Sequence, residues 1–174
     1  MSYNIHCDLC PYFNQLHLEG NIFSTNRNSP PIILENNSSS MLLVFQSPGI
    51  KEWEEGIAIF PERKKGGSAG RRIELSWIRK QKQRSEYDII NVVQCFPGRV
   101  GIRDNFPSIS AICSCKNRLK DVLENSNYVK IIAFGTLAID VTKSILREIN
   151  KNVPLVESVH PNGGITNEEL DRLW

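Results

Sequence analysis

The 174-residue chain contains no apolar run near the length of a membrane span and no charged-then-apolar leader segment. These absences argue against a spanning helix and a secreted product, and lead to the expectation of a cytoplasmic, reducing environment in which disulfides do not persist. No internal repeat is present, which leaves a single domain over residues 1–174, long enough for a full sheet-and-helix core. The formal net charge is only +2 and says little by itself. Acid is scarce in one place, however. Between Arg63 and Arg84 stand nine basic residues (Arg63, Lys64, Lys65, Arg71, Arg72, Arg79, Lys80, Lys82 and Arg84) against one acid, Glu74. Such a block is either a footprint for a polyanion, whose phosphates shed counterions on contact, or a solvated helix face.

What is present begins with cysteine. Cys7-x-x-Cys10 lies near the start, Cys95 ends an apolar strand-like run, and Cys115 opens a helix-like one. A C-x-x-C pair plus two remote cysteines is how four thiolates reach one tetrahedral zinc or one cubane iron–sulfur cluster. The plainer alternative is that they are buried thiols packing as small hydrophobes.

Apolar, β-branched runs at Met41–Gln46, Tyr87–Gln94, Lys130–Phe134 and Leu155–Val159 read as buried strands. They lack strict alternation, as expected where both faces of a parallel sheet are covered. Helical spacing appears between them, in Ile73–Ile78, Leu119–Leu123 and Leu137–Ile149. A last helix is predicted after Thr166, an N-cap with Glu169 three residues on. The alternation predicts a three-layer α/β domain with a central four-stranded parallel sheet and helices on both faces. Residues 1–40 are the cysteine-bearing N-terminal segment, of which 21–40 read as a loop rich in Asn, Ser and Pro.

Ligands of such sheets bind at the carboxyl ends of the strands, and the polar candidates gather there. The first strand runs into Gln46-Ser47-Pro48-Gly49, a turn whose Pro and Gly allow a sharp bend. The second carries Asn91 among apolar neighbours. A buried carboxamide needs partners, whether a base edge or a neighbouring loop. The fourth ends in His160-Pro161-Asn162-Gly163-Gly164, where a histidine can stabilise developing negative charge or simply sit at the surface.

Taken in order, these segments resemble the uracil-DNA glycosylase superfamily, most closely its iron–sulfur branch, family four. Leu43–Gly49 looks like that family's first motif, a strand ending in Gly-Glu-Ala-Pro-Gly, and Gly66–Gly70 is similar to its Gly-x-Ala-Gly. Asn91-Val92-Val93-Gln94-Cys95-Phe96-Pro97 resembles Asn-Val-Val-Lys-Cys-Arg-Pro. Cys115 with Leu119, Gly135–Ala138 and His160-Pro161-Asn162 match the later motifs in turn. The resemblance implies that Cys7, Cys10, Cys95 and Cys115 hold a structural 4Fe-4S cluster, with zinc the lesser alternative and Cys113 left over as a possible substitute ligand.

It further implies a monomer that binds DNA, extrudes a nucleotide and hydrolyses the bond between its base and sugar. Asn91 would read the base edge, with Ser47 beside it. Phe60, eleven residues past Gly49, would stack on the base, and His160 would stabilise the departing anion. Arg63, Lys64, Lys65, Arg71, Arg72 and Asn162 would grip the strand.

The chain departs from the family at the first motif, where Gln46 replaces the acid and Phe45 the lead glycine. An amide can place water but cannot accept its proton. Glu52, three residues past Pro48-Gly49, stands where the family often has an acid and is a candidate for partial substitution. Gln46 also keeps open a second reading, a catalytically weak relative that recognises uracil-containing or modified DNA. A third is a zinc-ribbon-like site on an unrelated α/β domain.

Overall fold

The structure is a computed structural model that describes Tyr12, residues 34–63 and residues 67–174. Its elements run β1 (Met41–Phe45), α1 (Ile50–Glu55), α2 (Ala69–Arg79), a 3-10 turn (Arg84–Glu86), β2 (Asp88–Asn91), β3 (Arg99–Val100), β4 (Arg103–Asp104), α3 (Ile109–Asn125), β5 (Lys130–Phe134), α4 (Thr136–Glu148), β6 (Leu155–Ser158) and α5 (Asn167–Asp171). β2, β1, β5 and β6 form one sheet in that order, every pair parallel.

Side chains of a strand alternate between faces, and here both faces are dry. Leu42, Val44, Ile90, Ile131 and Ala133 pack on one side with Cys115, Leu119 and Leu123 of α3 and Ala138 and Ile145 of α4. Leu43, Phe45, Ile89, Ile132 and Phe134 pack on the other with Ile73 and Trp77 of α2 and Leu170 of α5. Trp77 stacks on Tyr87 at 5.2 Å and Trp174 closes against both. This is the expected three-layer α/β arrangement. Among the described residues no helix is long and apolar enough to cross a membrane.

The helices begin where short polar side chains satisfy orphan N–H groups. Ser68 caps α2 by accepting from the Arg71 N–H, Ser108 caps α3 from Ala111, and Thr166 forms with Glu169 the capping box its spacing predicted. α4 starts instead at Gly135, whose φ of +87° is a conformation that L side chains rarely adopt.

Two expectations shift. The second strand pairs only over Asp88–Asn91; beyond it the Val92 and Val93 N–H groups reach Phe45 O and Gln46 O at 2.8 and 2.9 Å before the chain turns away. Residues 99–104, given no element by periodicity, form a β3–β4 hairpin that stands beside the sheet's carboxyl end. The outer edge of β2 is covered by Glu35, which exchanges two backbone hydrogen bonds with Ile89. That blunts an otherwise open edge.

Candidate functional site

A cavity of about 700 Å³ opens at the carboxyl ends of β1, β2, β5 and β6, where the topology of an open parallel sheet places ligands. Gln46, Ser47, Glu52, Asn91, His160 and Asn162 all line it. Six residues spread over 117 positions of sequence thus meet in one space because the four parallel strands end side by side.

Asn91 is fully buried at the end of β2. Its Nδ2 donates to Ala58 O at 2.9 Å, while Oδ1 has no partner among the described residues. A buried acceptor without a donor costs about 1–3 kcal/mol, so the side chain is anchored at one end and chemically open at the other. Both sequence readings of Asn91 therefore meet in one residue. The loop bond holds it, and the residue lines a ligand-sized space.

His160 follows β6. Its Nδ1 accepts the Asn162 backbone N–H at 3.3 Å, which leaves the proton on Nε2, and burial lowers its pKa. Near neutral pH the ring is a neutral N–H donor. The loop that carries it is tied down by Arg72, which donates to the carbonyl of Pro161, to Ile165 O at 2.6 Å and to Asn167 Oδ1 at 3.3 Å. Gly135 packs behind, its added Cβ lying 3.6 Å from His160 Cβ.

The aromatic assignment changes. Phe60 is not among the residues that line the cavity. Its carbonyl instead lies against α2, where a Cβ at Gly70 would come within 2.2 Å of it, so only glycine permits the approach. Phe45 and Phe134 line the cavity, stacked at 4.7 Å with ring planes 2° apart, and the more exposed Phe106 stands at its rim. Phe45 was visible as the replacement of a glycine. Phe134 carried no signal beyond its place at a strand end.

The basic block is likewise rearranged. Arg71 pairs with Glu74, Arg79 with Asp171, Lys82 with Glu86 and Arg84 with Glu35. Of the two expected on DNA, Arg71 bonds Glu74 one turn along α2, and Arg72 bonds the loop after β6, distant in sequence. Arg63 is exposed, and Lys64 and Lys65 lie outside the described residues. Sequence reasoning also missed Arg99 and Asp104, which the β3–β4 hairpin brings to the cavity wall as an ion pair at 2.7 Å. No periodicity marks so short a hairpin.

Of the four cysteines assigned to a metal, Cys95 and Cys115 are described, and both are buried. Cys7 and Cys10 lie outside the described residues, and among those described no cluster of three metal-ligating side chains occurs. The surroundings suit an anionic thiolate centre. Gln94, next to Cys95, has a buried Nε2 with no partner among the described residues, a donor of the kind that cluster sulfurs accept. Its Oε1 accepts from Arg118 at 2.5 Å, a buried cation one helical turn past Cys115. Tyr12, two residues past Cys10 in sequence, accepts the Ser108 N–H at 2.7 Å through its hydroxyl, at the start of the helix that carries Cys115. Cys113 is exposed and points elsewhere than its buried neighbour. No family model and no curated protein sequence matches the chain.

Proposed function

We propose that the protein is a DNA glycosylase that hydrolyses the bond between uracil, or a related altered pyrimidine, and its deoxyribose after flipping the nucleotide from the stack. The observation that carries this reading is the convergence of Asn91 Oδ1 and the neutral His160 ring on one cavity at the sheet's carboxyl end. An acceptor beside the remaining N–H of the same carboxamide matches the N–H and carbonyl that uracil presents side by side. Cytosine offers no N–H at that ring nitrogen. His160 Nε2–H would then meet a carbonyl oxygen of the base as the bond breaks, where charge exists only in the transition state. Gln46 orients water through its amide. Arg63, Lys64 and Lys65 bind phosphate, and the protein acts as a monomer in a reducing intracellular compartment.

Cys7, Cys10, Cys95 and Cys115 would hold a 4Fe-4S cluster, which supplies a covalent crosslink between the N-terminal segment, the loop after β2 and α3. Purified protein should carry about four irons with matching sulfide; one zinc without sulfide would sink this assignment. Catalysis is tested by incubating the protein with a labelled uracil-containing oligonucleotide and cleaving abasic sites with alkali. Strand cleavage that depends on uracil supports the reading. Gln46, an amide where the related motif has an acid, favours one second reading, a module that binds uracil-bearing strands without cutting them. Selective binding with no cleavage would select it.

A further inference from the structure

Gly49 closes the turn after β1, and two carboxylates from separate elements stand over it. A methyl group added there would meet Glu52 Oε2 at 2.8 Å and Asp104 Oδ2 at 3.1 Å, so these two oxygens are no further apart than those lengths together. Each carboxylate is held at its other oxygen. Glu52 Oε1 accepts the Phe60 N–H at 3.1 Å, and Asp104 Oδ1 accepts Arg99 Nε at 2.7 Å. One oxygen of each group is thereby left facing Gly49. Burial, with Asp104 and Glu62 as further acids nearby, raises the Glu52 pKa, as like charges sharing a site require. Independently, the same cavity is lined by Asn91, whose buried Oδ1 has no partner among the described residues. A ligand placed by Asn91 thus lies in the space the two acids line.

We propose, resting on the glycosylase reading, that Glu52 and Asp104 together hold the attacking water above Gly49 and take its proton. They supply the base that Gln46 cannot be. The water oxygen bonds to the sugar C1′ as the C1′–N bond breaks, and the bonding electron pair leaves with the base. The water's proton passes to the carboxylate pair, which later returns it to solvent, while the base anion takes up a proton from solvent. Arg99 is a positioning residue that aims Asp104.

The test compares single-turnover excision with affinity for a duplex carrying a non-hydrolysable uracil nucleotide. Asp104→Asn and Glu52→Gln should each lower excision by about 10²-fold, the usual worth of general-base assistance. The double variant should fall little further, because the pair acts as one unit. Affinity for the uncleavable duplex should hold or rise, since negative charge is removed. Gly49→Ala is the second probe. It keeps both acids and an accessible backbone (φ −77°) yet fills the space between them, so it should lower excision to a similar degree. Singles within threefold of an active wild type would overturn the proposal and leave the glycosylase reading intact. So would wild-type excision that EDTA abolishes and Mn²⁺ restores, because the pair would then be a cation site. A wild type that excises nothing would overturn both.

Discussion

The α2 surface and the cavity at the sheet's carboxyl end both carry polar residues, and the fold treats them differently. On α2 and the turn after it the cations are satisfied from within: Arg72 by the His160 loop, Arg79 by Asp171 and, past the helix end, Arg84 by Glu35. In the cavity, Asn91 Oδ1 is left without a partner among the described residues, and two carboxylate oxygens face each other over Gly49. Buried polar groups are normally paired, so the exceptions carry information. Charge density in the chain pointed to α2. The unpartnered Asn91 oxygen and the two acids over Gly49 point to the cavity.

The sharpest way to break this contrast is to remove a cavity donor. On the proposed glycosylase reading, His160→Ala should lower single-turnover excision by about 10²–10³, the usual loss for one oxyanion donor, while binding of an uncleavable duplex barely changes. Equal losses in both measurements would make His160 a binding residue only.

Arg72→Ala tests whether α2 serves the site by holding it. Loss of its bonds to the Pro161 and Ile165 carbonyls should destabilise the fold by about 1–3 kcal/mol in denaturant melts. Excision should fall about tenfold, because a displaced His160 loses alignment. The salt dependence of DNA binding should stay as in wild type. A flattened salt slope would return Arg72 to the phosphate contacts.

Arg63→Ala with Lys64→Ala and Lys65→Ala should do the reverse. The slope of log affinity against log salt should drop by about 2 to 3 and every sequence should bind more weakly, since phosphate contacts carry no sequence information. An unchanged slope would mark this run as a solvated face.

The smallest effect concerns the contact between α2 and α5. Asp171 has its pKa lowered to about 2 by the Arg79 hydrogen bonds and by Ser76. A carboxyl depressed in the fold contributes stability that is present above its ordinary value and lost as pH falls toward 2. Asp171→Asn should therefore cost about 1 kcal/mol at pH 7, given its partial exposure, and the deficit should shrink in acid. A deficit independent of pH would mean that packing, not charge, is what Asp171 supplies.

Much of the architecture was legible because it is local. β5 matches its apolar run at both ends, and Thr166 with Glu169 marked the start of α5 by spacing alone. Gln46, Asn91 and His160 could be singled out because a polar residue at the end of an apolar strand is out of pattern. The hairpin of Arg99–Asp104 could not, since two-residue strands leave no period, and with it Asp104 was missed. Phe60 was placed by its distance from Gly49 in sequence, but the tight contact of its carbonyl with α2 decided where it sits.

By itself the sequence determined the strands, the helix caps and the residue types offered at the strand ends, since these follow from periodicity and side-chain chemistry within a few positions. Only the tertiary structure decided which charges are already neutralised and which polar atoms remain open. Pairing depends on partners 92 and 49 residues away, as in Arg79 with Asp171 and Arg84 with Glu35. Coulomb attraction and hydrogen bonding act across a few ångströms of space, and no linear reading can measure that distance.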